Sequence, residues 1–174
     1  MDRLTEQEPE PPHSHRLRTN RVTLRSAVYL ITSVTSKRRP IFTNIAAADC
    51  VTGALRHYHD RGNVHSFAWV VMPDHIHWLL QLRVGTLEWL LRAFKTWTSA
   101  QVRRCLSTPP RRIWQPGFHD RLVRPHEKLE PYIGYVVANP VRRGLVREIR
   151  DYPYSFAEMC LDEVVPVMQR PWTG

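Results

Sequence analysis

The sequence predicts a single α+β domain in which helices pack on the faces of a central antiparallel sheet. Strand-like and helix-like segments follow in the order strand, helix, strand, strand, helix, helix. The two adjacent strand-like segments, VHSFAWVVMP and DHIHWLLQL, have only Pro73-Asp74 as a turn signal between them. A length of 174 residues with 43% hydrophobic content suits one core and leaves little for a second.

Met1 to about Asn20 is polar, proline-bearing and without period, and reads as a flexible lead-in of residues 1–20 to a domain over 21–174. From Ala27 the β-branched, apolar stretch AVYLITSVT reads as a first strand ending in the basic turn SKRRP. Thr43 or Asn44 caps a helix, IAAADCVTGALRHYH, that stops at Arg61-Gly62. After the two adjacent strands, Thr86 caps LEWLLRAFKTWTSAQVRRC. Its predicted apolar stripe is Leu87, Leu90, Leu91, Phe94 and Trp97, with Arg92, Lys95 and Arg103 off it. STPPRRIWQPGF is a loop by its proline and glycine, and DRLVRP a short extended piece. A third helix is expected from about Pro125-His126-Glu127 through KLEPYIGYVVAN, ended or bent by Pro140, with a tail from about 151.

Charge narrows the partners. Lys and Arg number 25 against 16 Asp and Glu, for a net charge of +9 with neutral histidine, which favours a polyanion and puts nucleic acid first. No apolar run approaches the ~20 residues of a membrane span, and the acidic, prolyl start does not resemble a signal peptide, so a cytoplasmic, nucleoid-associated protein with no membrane partner is expected. Cys50, Cys105 and Cys160 are far apart in sequence, with no CxxC pair, and read as reduced thiols.

Histidine occurs in three HxH pairs: His13/His15, His57/His59 and His75/His77. Two residues apart on a strand, side chains share a face; on a helix they diverge by ~200°. His57/His59 lies near the end of the first helix and is eliminated as a preformed chelate, and His13/His15 would bear the entropy of ordering the lead-in. His75 and His77 remain, alternating with Asp74, Ile76 and Trp78, and two neutral imidazoles side by side suit a divalent metal. The bland alternative is that they decorate the exposed face of a half-buried strand.

In PYIGYVVANPVRRGLV, Tyr135 and Asn139 are four apart and share a helical face, with Tyr132 roughly on that side. A phenol acts as a covalent nucleophile when its ionisation is eased and the phosphate it attacks is polarised. A metal held by His75 and His77 would polarise that phosphate, with the Asn139 amide oxygen as a third ligand. Against this stands the ordinary role of helical tyrosines at the edge of a core. Zinc-protease HExxH, P-loop, GxGxxG and GxSxG patterns are missing from the sequence.

MPDHIHWLL, IWQPGFHDRLVR and YVVANPVRRGLV, in that order, resemble the IS200/IS605-type single-tyrosine transposases, and within them the REP-associated tyrosine transposases. The likeness covers about Ala27 to Ser155. It implies an HUH endonuclease fold, with His75 and His77 as the metal-binding pair, Tyr135 as nucleophile and Asn139 as a further metal ligand. Tyr132 is the rival nucleophile. This chain has His119 where relatives often show an aromatic residue after the phenylalanine of the WQPxF loop.

The resemblance further implies a metal-dependent endonuclease and strand-transferase, using Mg²⁺ or Mn²⁺ on single-stranded DNA with REP-like hairpins. Tyr135 would form a 5′-phosphotyrosine and release a 3′-hydroxyl, and the retained phosphodiester energy would make ATP unnecessary. Monomers and homodimers both occur among such relatives. Candidate DNA contacts are Arg111 and Arg112, Trp114 for base stacking, Arg121, Arg124, Arg142 and Arg143. A non-catalytic hairpin-binding module and a metal-dependent ribonuclease are the competing readings.

Overall fold

Residues 26–158 are described by a computed structural model of the chain. The expected lead-in, His13/His15, Cys160 and the end of the tail lie outside them. Strands β1 (Val28–Val34), β2 (Val64–Met72), β3 (His75–Leu82), β4 (His119–Val123) and β5 (Ser155–Ala157) form a sheet in the order β4-β1-β3-β2-β5. All of its pairings are antiparallel. The β2–β3 connection is the expected hairpin, with Met72 opposite His75 across Pro73-Asp74.

Helices α1 (Ile45–Asp60) and α2 (Leu87–Cys105) cover one face of the sheet, and α3 (Glu130–Arg142) the other. Asn44 rather than Thr43 caps α1, its Oδ1 accepting from Ala47 N at 3.0 Å, and Thr86 accepts from Trp89 N at 3.2 Å. The α1/α2 face buries Tyr29, Ile31, Ile76, Trp78, Leu80 and Phe94 in one apolar cluster. Leu30, Ala68, Val70, Leu79 and Val123 face α3, which contributes Tyr132, Ile133, Val136 and Val137. Alternation along β1 and β3 thus splits consecutive residues between two cores.

Three expectations need correction. Trp97 is 50% exposed, because the buried stripe of α2 continues from Phe94 by steps of four to Thr98 and Val102. The third helix begins at Glu130, with Pro131 in its first turn, and Pro140 does not end it. Pro140 sits in the last turn, and the stop is instead a Schellman arrangement. Gly144 at φ +67° lets Gly144 N bond Val141 O and Leu145 N bond Pro140 O, each at 2.9 Å. The tail expected from about 151 returns to the sheet as β5 against β2, stacking Phe156 on Trp69 with ring centroids 4.1 Å apart.

Cys50 and Cys105 are free thiols brought within 3.6 Å, Sγ to Sγ, where α1 meets the end of α2. No helix among the described residues is long and apolar enough to cross a membrane.

Candidate active site

The β1–β3 register sets Thr32 opposite His77 and Val34 opposite His75, on the face covered by α3. Both histidines are consequently buried beneath that helix rather than displayed on an open strand. Their rings are 4.8 Å apart, centroid to centroid, and His77 meets the Tyr135 ring edge-on at 5.4 Å. Thr32, Arg38, His75, His77, Tyr135, Asn139, Arg142 and Arg143 line one pocket at this end of the sheet.

Each imidazole is oriented through Nδ1. His75 Nδ1 lies 2.6 Å from Asp74 Oδ1, and His77 Nδ1 2.8 Å from Thr32 Oγ1. Nε2 of both rings is left for the pocket. Burial pushes the His77 imidazole down to about 3, with the positive charges of Arg142 and Arg143 acting the same way. Burial also lowers His75, outweighing the opposing pull of Asp74. The Asp74 carboxyl is lowered: burial alone would raise it, but the His75 hydrogen bond and the Arg38 guanidinium prevail. His75 is therefore a neutral ring whose Nδ1–H donates to an ionised carboxylate.

Asn139 lines the same pocket. Its Nδ2 donates to the Tyr135 carbonyl at 2.7 Å, and since a carbonyl only accepts, Oδ1 must be the atom turned away from that bond. Two neutral imidazole nitrogens, with their second nitrogens held by a carboxylate and a hydroxyl, plus an amide oxygen are a donor set suited to a divalent cation. Among the described residues no three His, Cys, Asp or Glu side chains gather at a point.

The two tyrosines of α3 separate clearly. Tyr132 is buried and donates its hydroxyl to Glu127 Oε1 at 2.8 Å, beneath the Arg121 guanidinium. Tyr135, half-buried, lines the pocket beside His77 with the Arg142 guanidinium 5.2 Å from its ring centroid. Geometry thus favours Tyr135 over its rival.

The remaining candidates divide. Arg142 and Arg143 are exposed at the last turn of α3 and line the pocket, where cations also suit the helix C-terminus. Arg111 and Arg112 are exposed in a loop whose next residues run past the end of β1, with Ser36 N bonded to Ile113 O and Gln115 N to Val34 O. Arg121 is half-buried and ion-paired to Glu127 at 3.1 Å, while exposed Arg124 gives its backbone N to the same carboxylate at 2.7 Å. Trp114 corrects the stacking expectation. It is 6% exposed, packed on Phe42 and Phe94, and its Nε1 donates to Thr98 Oγ1 at 3.0 Å, so its ring faces are spent in the core. Its neighbours are held from α2, where Lys95 Nζ donates to the carbonyls of Gln115 and Gly117.

Two residues of the pocket lining, Thr32 and Arg38, and Asp74, which holds His75, escaped the sequence reading. Asp74 was legible as the residue before HIH, but it was read as a turn signal. Thr32 becomes visible only once strand register is known, and Arg38 lay in a segment read merely as a basic turn.

The chain resembles known proteins in sequence and in fold. The curated REP-associated tyrosine transposase of Escherichia coli K12 is 30% identical over 88 residues, 51% of this chain and 51% of that protein. A putative REP-associated tyrosine transposase of Haemophilus influenzae is 33% identical over 95 residues, 49% of this chain and 54% of the relative. The chain thus spans about half the length of the curated relatives it matches. A solved REP-associated tyrosine transposase bound to a REP hairpin shares the fold, with a TM-score of 0.65 at 22% identity, over 90% of this chain and 91% of that one. The profile described as "Transposase IS200 like" matches residues 23–135, from before β1 to Tyr135 itself, and the chain belongs to that family.

Proposed function

We propose that the chain nicks and rejoins single-stranded DNA at hairpin-bearing, REP-like sites through a covalent bond to Tyr135. The observation that carries this reading is the shared pocket of Tyr135, His75, His77 and Asn139. His75, His77 and Asn139 would hold a Mg²⁺ or Mn²⁺ ion, which when bound supplies a Lewis acid for a non-bridging oxygen of the scissile phosphate.

The protein's own groups do the rest. Tyr135 Oη forms a bond to phosphorus as the bond from phosphorus to the 3′ oxygen breaks. The phenolic proton is released, and the departing 3′ oxygen ends as a hydroxyl. The enzyme is left with a 5′-phosphotyrosine. Attack by another 3′-hydroxyl reverses the step and joins new ends, with no nucleotide consumed. Arg142 and Arg143 supply positive charge where the strand must pass, and Arg121, paired with Glu127, is a further candidate DNA contact on β4. Arg111, Arg112 and Arg124 are exposed candidates for phosphates farther along the strand.

The test is incubation with a hairpin-bearing DNA strand and Mn²⁺, followed by a denaturing gel. A cleaved strand with a protein-linked fragment, both lost in EDTA, is expected. Binding without cleavage would leave a hairpin-binding module, and cleavage of RNA without a protein-linked product would make the chain a ribonuclease.

A further inference from the structure

Arg38 stands on a turn that an L-residue does not adopt freely. Lys37 and Arg38 have φ of 59° and 50°, consecutive left-handed conformations in non-glycine residues. Such backbone persists only where its surroundings enforce it, and it gathers at functional sites. The enforcement is visible here. Buried Thr35 shares its one hydroxyl proton between Arg39 O, 2.7 Å from Oγ1, and Asp74 O, 2.9 Å from it, and its N bonds Asp74 O at 2.8 Å. Ser36 N is tied to Ile113 O at 2.7 Å, so both flanks of the turn are fixed.

The turn delivers the Arg38 side chain to the pocket from the sheet end, whereas Arg142 and Arg143 come from α3. Arg38 Nη1 donates to Asp74 Oδ2 at 3.0 Å, yet its side chain stays 62% exposed. A guanidinium carries five N–H donors in a rigid fork, and this contact uses one edge of it. Asp74 is thereby shared, Oδ2 with Arg38 and Oδ1 with His75. One carboxylate against three arginines leaves the lining cationic before any metal is counted.

We propose that Arg38 is a phosphate-binding residue of the site, its fork braced by Asp74 and its remaining donors turned to the DNA strand in the pocket. This deepens the function proposed above and rests on it for the identity of the ligand. A positively charged arm from the sheet end would grip the strand opposite in origin to the helix-borne arginines, so that the phosphate attacked by Tyr135 is held by two elements rather than one.

The test compares wild type with Arg38→Ala and Arg38→Lys, each checked for an unchanged melting temperature. Affinity for a hairpin-bearing strand is measured in EDTA across a salt series, Mn²⁺ affinity is measured by paramagnetic resonance without DNA, and single-turnover cleavage is followed at saturating DNA. Arg38→Ala should flatten the log–log salt slope by about 0.7, the value for one single-strand phosphate contact. It should slow cleavage by roughly 100-fold, the scale of losing one preorganised donor. Its Mn²⁺ affinity should stay within about twofold of wild type on a purely phosphate-binding role, against the 10–100-fold loss typical of disturbed outer-shell partners. Arg38→Lys should keep the slope and recover only part of the rate. An unchanged slope in Arg38→Ala overturns the proposal. If that variant instead loses Mn²⁺ affinity, Arg38 acts only through Asp74 and His75. The slope is read without cleavage, so a wild type that binds but does not cut refutes the nicking reaction while leaving the Arg38 contact measurable.

Discussion

The two faces of one sheet have been put to opposite uses. Under α1 and α2, Ile76 and Trp78 of β3 close into a continuous apolar cluster with Phe94 and Trp114. Under α3, the alternating residues His75 and His77 of the same strand reach a polar pocket instead. A single helix covers that face, and Asn139, Arg142 and Arg143 at its C-terminal end line the pocket. One strand thus anchors the fold on one side and presents chemistry on the other, so substitutions one residue apart should fail in different ways.

Breaking the apolar face should have the largest effect on stability. Phe94→Ala should cost about 3–5 kcal/mol, read from denaturant unfolding, since it empties a fully buried aromatic site. Trp114→Ala should likewise lower the melting temperature while the folded fraction keeps its affinity for DNA. A clear loss of affinity with unchanged stability would return Trp114 to a stacking role.

On the polar face, stability and function should come apart. His77→Ala should abolish Mn²⁺ binding, and Thr32→Val, which keeps the shape but removes the hydrogen bond to Nδ1, should weaken it about 10–100-fold. Equal affinity in Thr32→Val and wild type would mean that the ring needs no such support.

The histidines also set a pH dependence in metal-free protein. With His77 at about 3 when folded and an ordinary value near 6.5 when unfolded, the unfolded chain takes up a proton that the native state excludes. Stability should therefore fall as pH drops from about 6.5 toward 3, and less steeply in His77→Ala. Identical slopes in the two proteins would contradict the burial of a neutral ring.

The smallest effect belongs to the helix stop. Gly144→Ala should cost about 1 kcal/mol, because φ +67° is unfavourable for a residue with a Cβ, although open space surrounds that position. A loss far above this would mean that the arginine-bearing turn contributes more packing than its exposure indicates.

The order of the main elements and the meeting of His75, His77, Tyr135 and Asn139 at one pocket were legible because they follow from periodicity: two for His75 and His77, four for Tyr135 and Asn139. What was hidden depends on register and packing. Thr32 meets His77 only through the β1–β3 pairing, forty-five residues away in sequence. Periodicity puts Trp97 in the buried stripe and Trp114 in a loop open to DNA, yet Trp97 is exposed on α2 and Trp114 is packed in the core. β5 was missed because three residues, SFA, carry too little pattern to be read as a strand, although pairing with β2 makes them one. The choice between Tyr132 and Tyr135 could not be made from helix phase, since it turns on Glu127, a residue of the preceding turn that engages one hydroxyl.

That choice is also where the central claim is most exposed. Wild type, Tyr135→Phe and Tyr132→Phe would each be incubated with a hairpin-bearing strand and Mn²⁺, digested, and searched by mass spectrometry for a nucleotide-modified peptide. The modification should fall on Tyr135 in wild type and in Tyr132→Phe, and vanish in Tyr135→Phe with hairpin affinity retained. A modification on Tyr132, or one that survives Tyr135→Phe, would contradict the assignment of the nucleophile.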